Sequence, residues 1–283
     1  MTLARILAHA LAGAVASPLA LGAASQPVVT PPQKYYLALG DSLTYGIQPD
    51  KVDAGVKPSG FDTGFVNVFT RRLRKLAPKL QVVNYGCPGE STATFVAGGC
   101  PWIAGGRALN DAFHGAQLNA ALTFLHAHPT EVSPITVNLG GNDVQAFSDA
   151  CKGSFTCARA RAPRALRQLA MRLRSILHRL RVAAPKANII VIGLWNNDLT
   201  TPSQSDPLYR TVDRTIGRVA AVAGAHFADP FPIFNPQGSL TKRKARICAY
   251  TFICSRGDGH PTDAGYQALA AAVHAASGYP HRG

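Results

Sequence analysis

Four short clusters in this chain hold the residue types that hydrolytic chemistry needs: Gly40-Asp41-Ser42-Leu43, Asn84-Tyr85-Gly86, Gly140-Gly141-Asn142-Asp143 and Gly257-Asp258-Gly259-His260-Pro261. A serine hydroxyl alone is a poor nucleophile and needs a histidine to accept its proton. Attack on an ester carbonyl then creates an oxyanion, which needs donors held ready for it. Ser42 and His260 supply the first pair. The Ser42 N–H, the Gly86 N–H and the Asn142 side-chain amide are candidate donors, since a glycine has no side chain to keep a substrate away.

Each cluster taken singly has a plain alternative, because Gly, Asp, Asn and Pro are turn and cap residues. Their placement gives them weight. Apolar runs at Tyr35–Leu39, Leu80–Asn84, Pro134–Leu139, Asn188–Leu194 and Ala225–Ala228 read as strands. Helical periodicity covers Phe61–Ala77, Ala116–His126, a basic segment ending at Ala184, Asp206–Ala223 and a last helix reaching Ala276. Alternation of strand and helix predicts one α/β domain on a five-stranded parallel sheet. The clusters then lie along the carboxyl edge of that sheet, where open sheets bind ligands. Asp229–Gly259 is expected as a long loop.

At this point four motifs in order, spanning Tyr35 to Ala276, resemble the SGNH hydrolases, also called GDSL esterases and lipases. The resemblance implies a flavodoxin-like three-layer α/β/α fold. It implies Ser42 as nucleophile, His260 as general base, and Ser42, Gly86 and Asn142 as oxyanion donors, with no metal and no organic cofactor. One position departs from the pattern. The family usually places an aspartate three residues before the histidine, where this chain has Gly257, and Asp258 sits two before. Asp258, a backbone carbonyl from the Cys248–Cys254 loop, or another acid are the alternatives for orienting the ring. Asp263 is better explained as a helix cap beside Thr262.

Composition bounds the rest. At 283 residues, 47% hydrophobic and 16% charged, the chain can build one sizeable core. Residues 1–24 resemble a cleavable signal peptide, 25–34 a Pro-bearing linker, 35–278 the hydrolase domain and 279–283 a tail. Export suits the six cysteines, for which nearest-neighbour pairing is expected: Cys87–Cys100, Cys151–Cys157 and Cys248–Cys254, all in loops of the catalytic edge. The net charge of +14 owes much to arginines between Arg159 and Arg181, opposite a leucine stripe. These read as a solvated helix face that attracts anionic surfaces weakly, not as a nucleic-acid site.

The expected protein is thus a secreted, monomeric serine esterase acting on small-molecule or lipid esters. Phe95, Trp102, Phe147, Phe231 and Phe234 on the rim loops favour aliphatic acyl groups. The alternatives are a carbohydrate acetylesterase and a non-catalytic binding protein on the same fold.

Overall fold

A computed structural model describes residues 26–280 except residue 153. The expected signal peptide at 1–24 lies outside the described residues. The chain runs β1 (Tyr35–Gly40), α1 (Ser42–Tyr45), α2 (Pro49–Asp53), a 3-10 turn (Pro58–Gly60), α3 (Phe65–Leu73), β2 (Gln81–Asn84), α4 (Thr92–Ala97), α5 (Pro101–Ala104), α6 (Gln117–Ala127) and β3 (Val132–Asn138). It continues through α7 (Gly141–Cys151), α8 (Phe155–Ala183), β4 (Ile189–Ile192), α9 (Pro202–Val222), β5 (His226–Ala228), α10 (Phe231–Phe234), α11 (Leu240–Tyr250), α12 (Ile253–Arg256) and α13 (Asp263–Ala276).

The five strands are all parallel, in the order β2-β1-β3-β4-β5. Alternation along each strand divides the core in two. Leu37, Leu39, Ile135, Val137, Ile189 and Val191 face α6, α8 and α9. Tyr36, Ala38, Ile190, Ile192 and Ala228 face α3 and α13. Burial on both faces explains why the strands read as unbroken apolar runs rather than alternating ones. In β3 the register with β1 moves from Tyr35↔Val132 to Leu37↔Ile135, so one extra residue is absorbed around Pro134, which has no N–H to pair.

Register fixes where the motifs emerge. Gly40 is level with Asn138, Ala38 with Asn84 and Asn138 with Ile192. The loops after β1 and β3 therefore leave side by side, at the point where the strand order reverses direction.

Three expectations are corrected. Asp229–Gly259 is not a loop but holds α10, α11 and α12. Lys242, Arg243, Lys244 and Arg246 mask the periodicity of α11, whose N-terminus Ser239 caps by accepting from the Lys242 N–H at 3.2 Å. The helix expected over Phe61–Ala77 is trimmed to Phe65–Leu73, the turns on either side remaining irregular. The disulfides pair as Cys87–Cys100, Cys151–Cys157 and Cys248–Cys254, yet Cys151, Cys157, Cys248 and Cys254 lie in helices. Two of the bridges thus pin consecutive helices together at their junctions.

The segment before β1 also does more than link. The Gln33 N–H donates to Ser133 O at 2.8 Å, Thr30 Oγ1 to Lys186 O at 2.5 Å and the Tyr279 hydroxyl to Thr30 O at 3.0 Å. It closes the amino edge of the sheet, opposite the motifs.

Asp213 of α9 anchors the exit from β4, accepting from the Leu194 N–H at 2.7 Å through Oδ1 while Oδ2 is buried without a partner. Burial pushes this carboxyl up to about 7. The folded state therefore holds a proton there that the unfolded state has lost above about pH 4. This group stabilises the fold at low pH and loses that contribution as pH rises through 7. Asp213→Asn, which keeps the acceptor, should flatten the fall in melting temperature between pH 5 and 8; an unchanged slope in thermal scans would show that Asp213 is not its source.

Candidate active site

β1 ends on Gly40 at φ +137°, and a Cβ there would lie 2.1 Å from Asn138 O. Only glycine allows the chain to pass β3 this closely. Asp41 then caps the single turn of α1, its Oδ1 accepting from the Leu43 N–H at 3.0 Å. Its carboxyl is buried beside Asp143 and Glu90, and burial pushes it up to about 7. Ser42 follows as the first residue of the turn. Its own N–H makes no hydrogen bond among the described residues.

His260 approaches from the far end of the chain. Its Nε2 is 2.9 Å from Ser42 Oγ, and its Nδ1 is 2.6 Å from Asp258 Oδ1. The same Asp258 oxygen accepts from the His260 backbone N–H at 2.7 Å. Spacing by two thus closes an Asx turn, in which a carboxylate binds the backbone two residues on, and the ring folds over the same acceptor. Because the Asp258 carboxylate only accepts, the ring proton sits on Nδ1 and leaves Nε2 free for the serine proton. The hydrogen bond from His260 holds the Asp258 carboxyl below the usual carboxylate range. The displaced position is explained by its neighbour: Gly257, where the family usually has the acid, ends α12 in the left-handed region at φ +67°. A side chain is disfavoured there.

The histidine loop is tied down on both sides. Phe252 N–H donates to His260 O at 3.0 Å and Thr262 N–H to Tyr250 O at 3.0 Å, Phe252 and Tyr250 both lying in the segment that the Cys248–Cys254 bridge encloses. A Cβ on Gly259 would meet Asn197 Nδ2 at 2.2 Å, so Asn197 is a wall against which the loop rests. Asn197 is itself fixed through Oδ1, which accepts from Trp195 Nε1 at 2.9 Å, and Trp195 stacks on Phe234 with centroids 4.2 Å apart.

The other two motifs are joined to each other. Asn142, in the first turn of α7, donates from Nδ2 to Glu90 O at 2.9 Å. Asp143 turns the other way and accepts from the Thr92 N–H at 2.9 Å and Thr92 Oγ1 at 2.5 Å. Gly86 is placed differently from the sequence expectation. Its N–H already donates to Asn84 Oδ1 at 2.9 Å, while Asn84 Nδ2 donates to Thr44 O at 2.9 Å. A Cβ on Gly86 would lie 2.4 Å from Tyr45 N, so this glycine serves close packing of the loop on α1. The second glycine of the loop, Gly89, went unread in the sequence. It has φ +86°, adjoins Glu90, and leaves its N–H unbonded among the described residues. The sign was present in its spacing, three residues after Gly86 and directly before the acid.

Ser42, Asn142, Asp258 and His260 line one cavity of about 390 Å³, with Leu43, Leu194, Trp195 and Tyr209 as its apolar walls and Gln145 and Asn197 as polar ones. None of the five aromatic rim residues expected from the sequence is on its wall. Phe95, Phe231 and Phe234 are fully buried, and Trp102 and Phe147 line other surfaces. The segments that carry Phe95, Phe231 and Phe234 are short helices that turn these rings inward rather than rim loops. Cys87, Glu90 and Cys100 lie close enough to suggest a metal, but both thiols are bonded to each other.

Residues 38–268 match the profile of the GDSL-like Lipase/Acylhydrolase family. Among solved structures, the lipase Lip_vut3 from a goat rumen metagenome superposes with TM-score 0.58 at 18% identity, over 87% of this chain and 97% of that one. Axe2, an acetylxylan esterase from Geobacillus stearothermophilus, gives 0.54 at 19%, over 87% and 95%. No curated protein matches in sequence. At these identities the structural likeness speaks for the fold, and the profile match over most of the chain speaks for the family. This chain belongs to the GDSL-like lipase/acylhydrolase family and is a carboxylic ester hydrolase.

Proposed function

We propose that the protein is an exported serine esterase that works through an acyl-enzyme on Ser42. The observation that carries this reading is the continuous chain of hydrogen bonds from Ser42 Oγ through His260 to Asp258. His260 Nε2 takes the hydroxyl proton as Ser42 Oγ bonds to the ester carbonyl carbon. The carbonyl oxygen becomes an oxyanion, received by the Ser42 N–H, the second hydrogen of Asn142 Nδ2 and the Gly89 N–H, with Gly89 taking the place first given to Gly86. Collapse breaks the bond to the alcohol oxygen, which leaves with the proton from His260. Water then repeats the sequence and releases the acid. Asp258 keeps the ring in one tautomer and stabilises it while it is charged. No metal or organic cofactor enters these steps.

The cavity supports an ester with an aliphatic acyl part lying against Leu43, Leu194, Trp195 and Tyr209. Gln145 and Asn197 on the same wall favour a second reading, an acetyl group carried on a sugar. Hydrolysis rates for p-nitrophenyl acetate to decanoate, set beside acetate release from acetylated xylan, separate the two. Export is supported by the leader-like residues 1–24 and the three disulfides. Among the described residues, no helix is long and apolar enough to cross a membrane.

A fluorophosphonate should label the protein stoichiometrically on Ser42, and Ser42→Ala should lose both labelling and turnover, by about a millionfold in kcat for such a nucleophile. Hydrolysis surviving in clean Ser42→Ala protein would end this mechanism. Asp258→Asn tests the orienting acid separately: a fall of about four decades in kcat is expected from loss of a triad carboxylate. A change below about threefold, under 1 kcal/mol in barrier, would make Ser42 and His260 a self-sufficient pair.

A further inference from the structure

Gln117 is fully buried and lies 77 residues from Gly40, the residue that leads into the serine turn, yet its side-chain amide is occupied at both ends there. Its Oε1 accepts from the Gly40 N–H at 2.7 Å, and its Nε2 donates to Gly40 O at 3.0 Å. The second hydrogen of Nε2 goes to Glu90 Oε2 at 3.1 Å. Both backbone groups of the residue two before Ser42 are thus gripped by one amide. Flipping that amide would set donor against donor at Gly40, so its orientation is fixed.

Glu90 carries the connection onward. Its backbone carbonyl accepts from Asn142 Nδ2, while its carboxylate is buried with Oε1 unpartnered. A buried carboxylate with so few donors depends heavily on each one. We infer that Gln117 is a positioning residue for the reaction: through Gly40 and Glu90 it sets the spacing between the Ser42 nucleophile and the Asn142 oxyanion donor. It touches no substrate, and it is absent from the cavity wall.

Two observations separate this role from ordinary packing. First, the bonds of Gln117 end on the strand terminus that precedes Ser42 and on Glu90, the residue whose backbone carbonyl holds the Asn142 amide. A tetrahedral oxyanion needs its donors at about 2.7–3.1 Å, which tolerates little drift. Second, α6 presents a polar residue here among Leu118, Ala121 and Leu125, where an apolar side chain would satisfy the core. A buried amide is retained only where its bonds are made.

The inference rests on the proposed acyl-enzyme, and labelling of the parent protein keeps the two apart. If the parent is not labelled by fluorophosphonate, the mechanism fails; if it is, the following measurements bear on Gln117 alone. Gln117→Met keeps length and removes all three bonds. On p-nitrophenyl acetate it should lower kcat about ten- to a hundredfold, the range of a weakened oxyanion contact, with KM within about threefold. Combined with Asn142→Ala, its effect should shrink, because both changes reach the same donor. Gln117→Glu gives a second route if the methionine variant does not fold. When protonated, its acid can reproduce the pair of bonds to Gly40, while its anion would face the Glu90 carboxyl that Gln117 now donates to and lie near Asp41. Activity relative to the parent at the same pH should therefore be highest at low pH and fall as pH rises. Full additivity with Asn142→Ala, a kcat within threefold of the parent, or activity lost only in step with unfolding by circular dichroism would each overturn the assignment. An unaltered pH profile in folded Gln117→Glu would do the same.

Discussion

The chain passes closer to itself at Gly40 than any side chain would allow. With a Cβ there 2.1 Å from Asn138 O, β1 and β3 run together to their last residues and release their loops almost at one point. From that point come Asp41 and Ser42 on one side and Asn142 on the other. A parallel sheet brings loop starts together but does not set their separation; the glycine contact does. Asn84, reaching Thr44 O, then draws the loop after β2 against the same turn. Three of the four motif loops are fixed in this way near the sheet edge, by the close approach at Gly40 and by the Asn84 amide on Thr44 O.

Electrostatics at that edge works against the carboxylates gathered there. Asp41, Glu90 and Asp143 lie close enough to influence one another, and burial raises the first two above the usual carboxylate range. Asp143 is held by Thr92, and Asp41 by the Leu43 N–H. Asp258 differs in having an imidazole as its partner, which lowers it. Asp258, which serves the histidine, and the buried Asp41 and Glu90 therefore sit on opposite sides of the ordinary value, set by what each one faces.

Much of this was legible in the sequence, for identifiable reasons. The strands showed because burial on both faces leaves uninterrupted apolar runs, as in Ile189–Ile192. Ser42 and Asn142 stood out because glycines and acids adjoin them at strand ends, and His260 because Gly-Asp-Gly precedes it before the last helix. The role of Asp258 stayed open, since two-residue spacing meets the ring only through the shared oxygen of an Asx turn. Helix α11 was hidden by its arginines and lysines, of which Arg243 is buried and paired with Asp206 at 2.5 Å. Gln117 left no mark at all. One glutamine at the start of an amphipathic helix looks like any other, and its partners lie 77 and 27 residues away. Gly86 and Gly89 were indistinguishable without knowing which N–H was already engaged.

The single Asp258 oxygen that holds both the His260 backbone and its ring has a consequence for how the site comes apart. Base and acid form a unit three residues long, whose internal bonds need nothing from the rest of the fold. The tie between that unit and the nucleophile spans 218 residues and is one hydrogen bond. Any motion that swings the segment between α12 and α13 outward therefore separates serine from histidine while histidine and aspartate stay paired. The assembly behaves as a plug and socket rather than as three independent parts: it disconnects at one place, and it reconnects with the base already in the right tautomer.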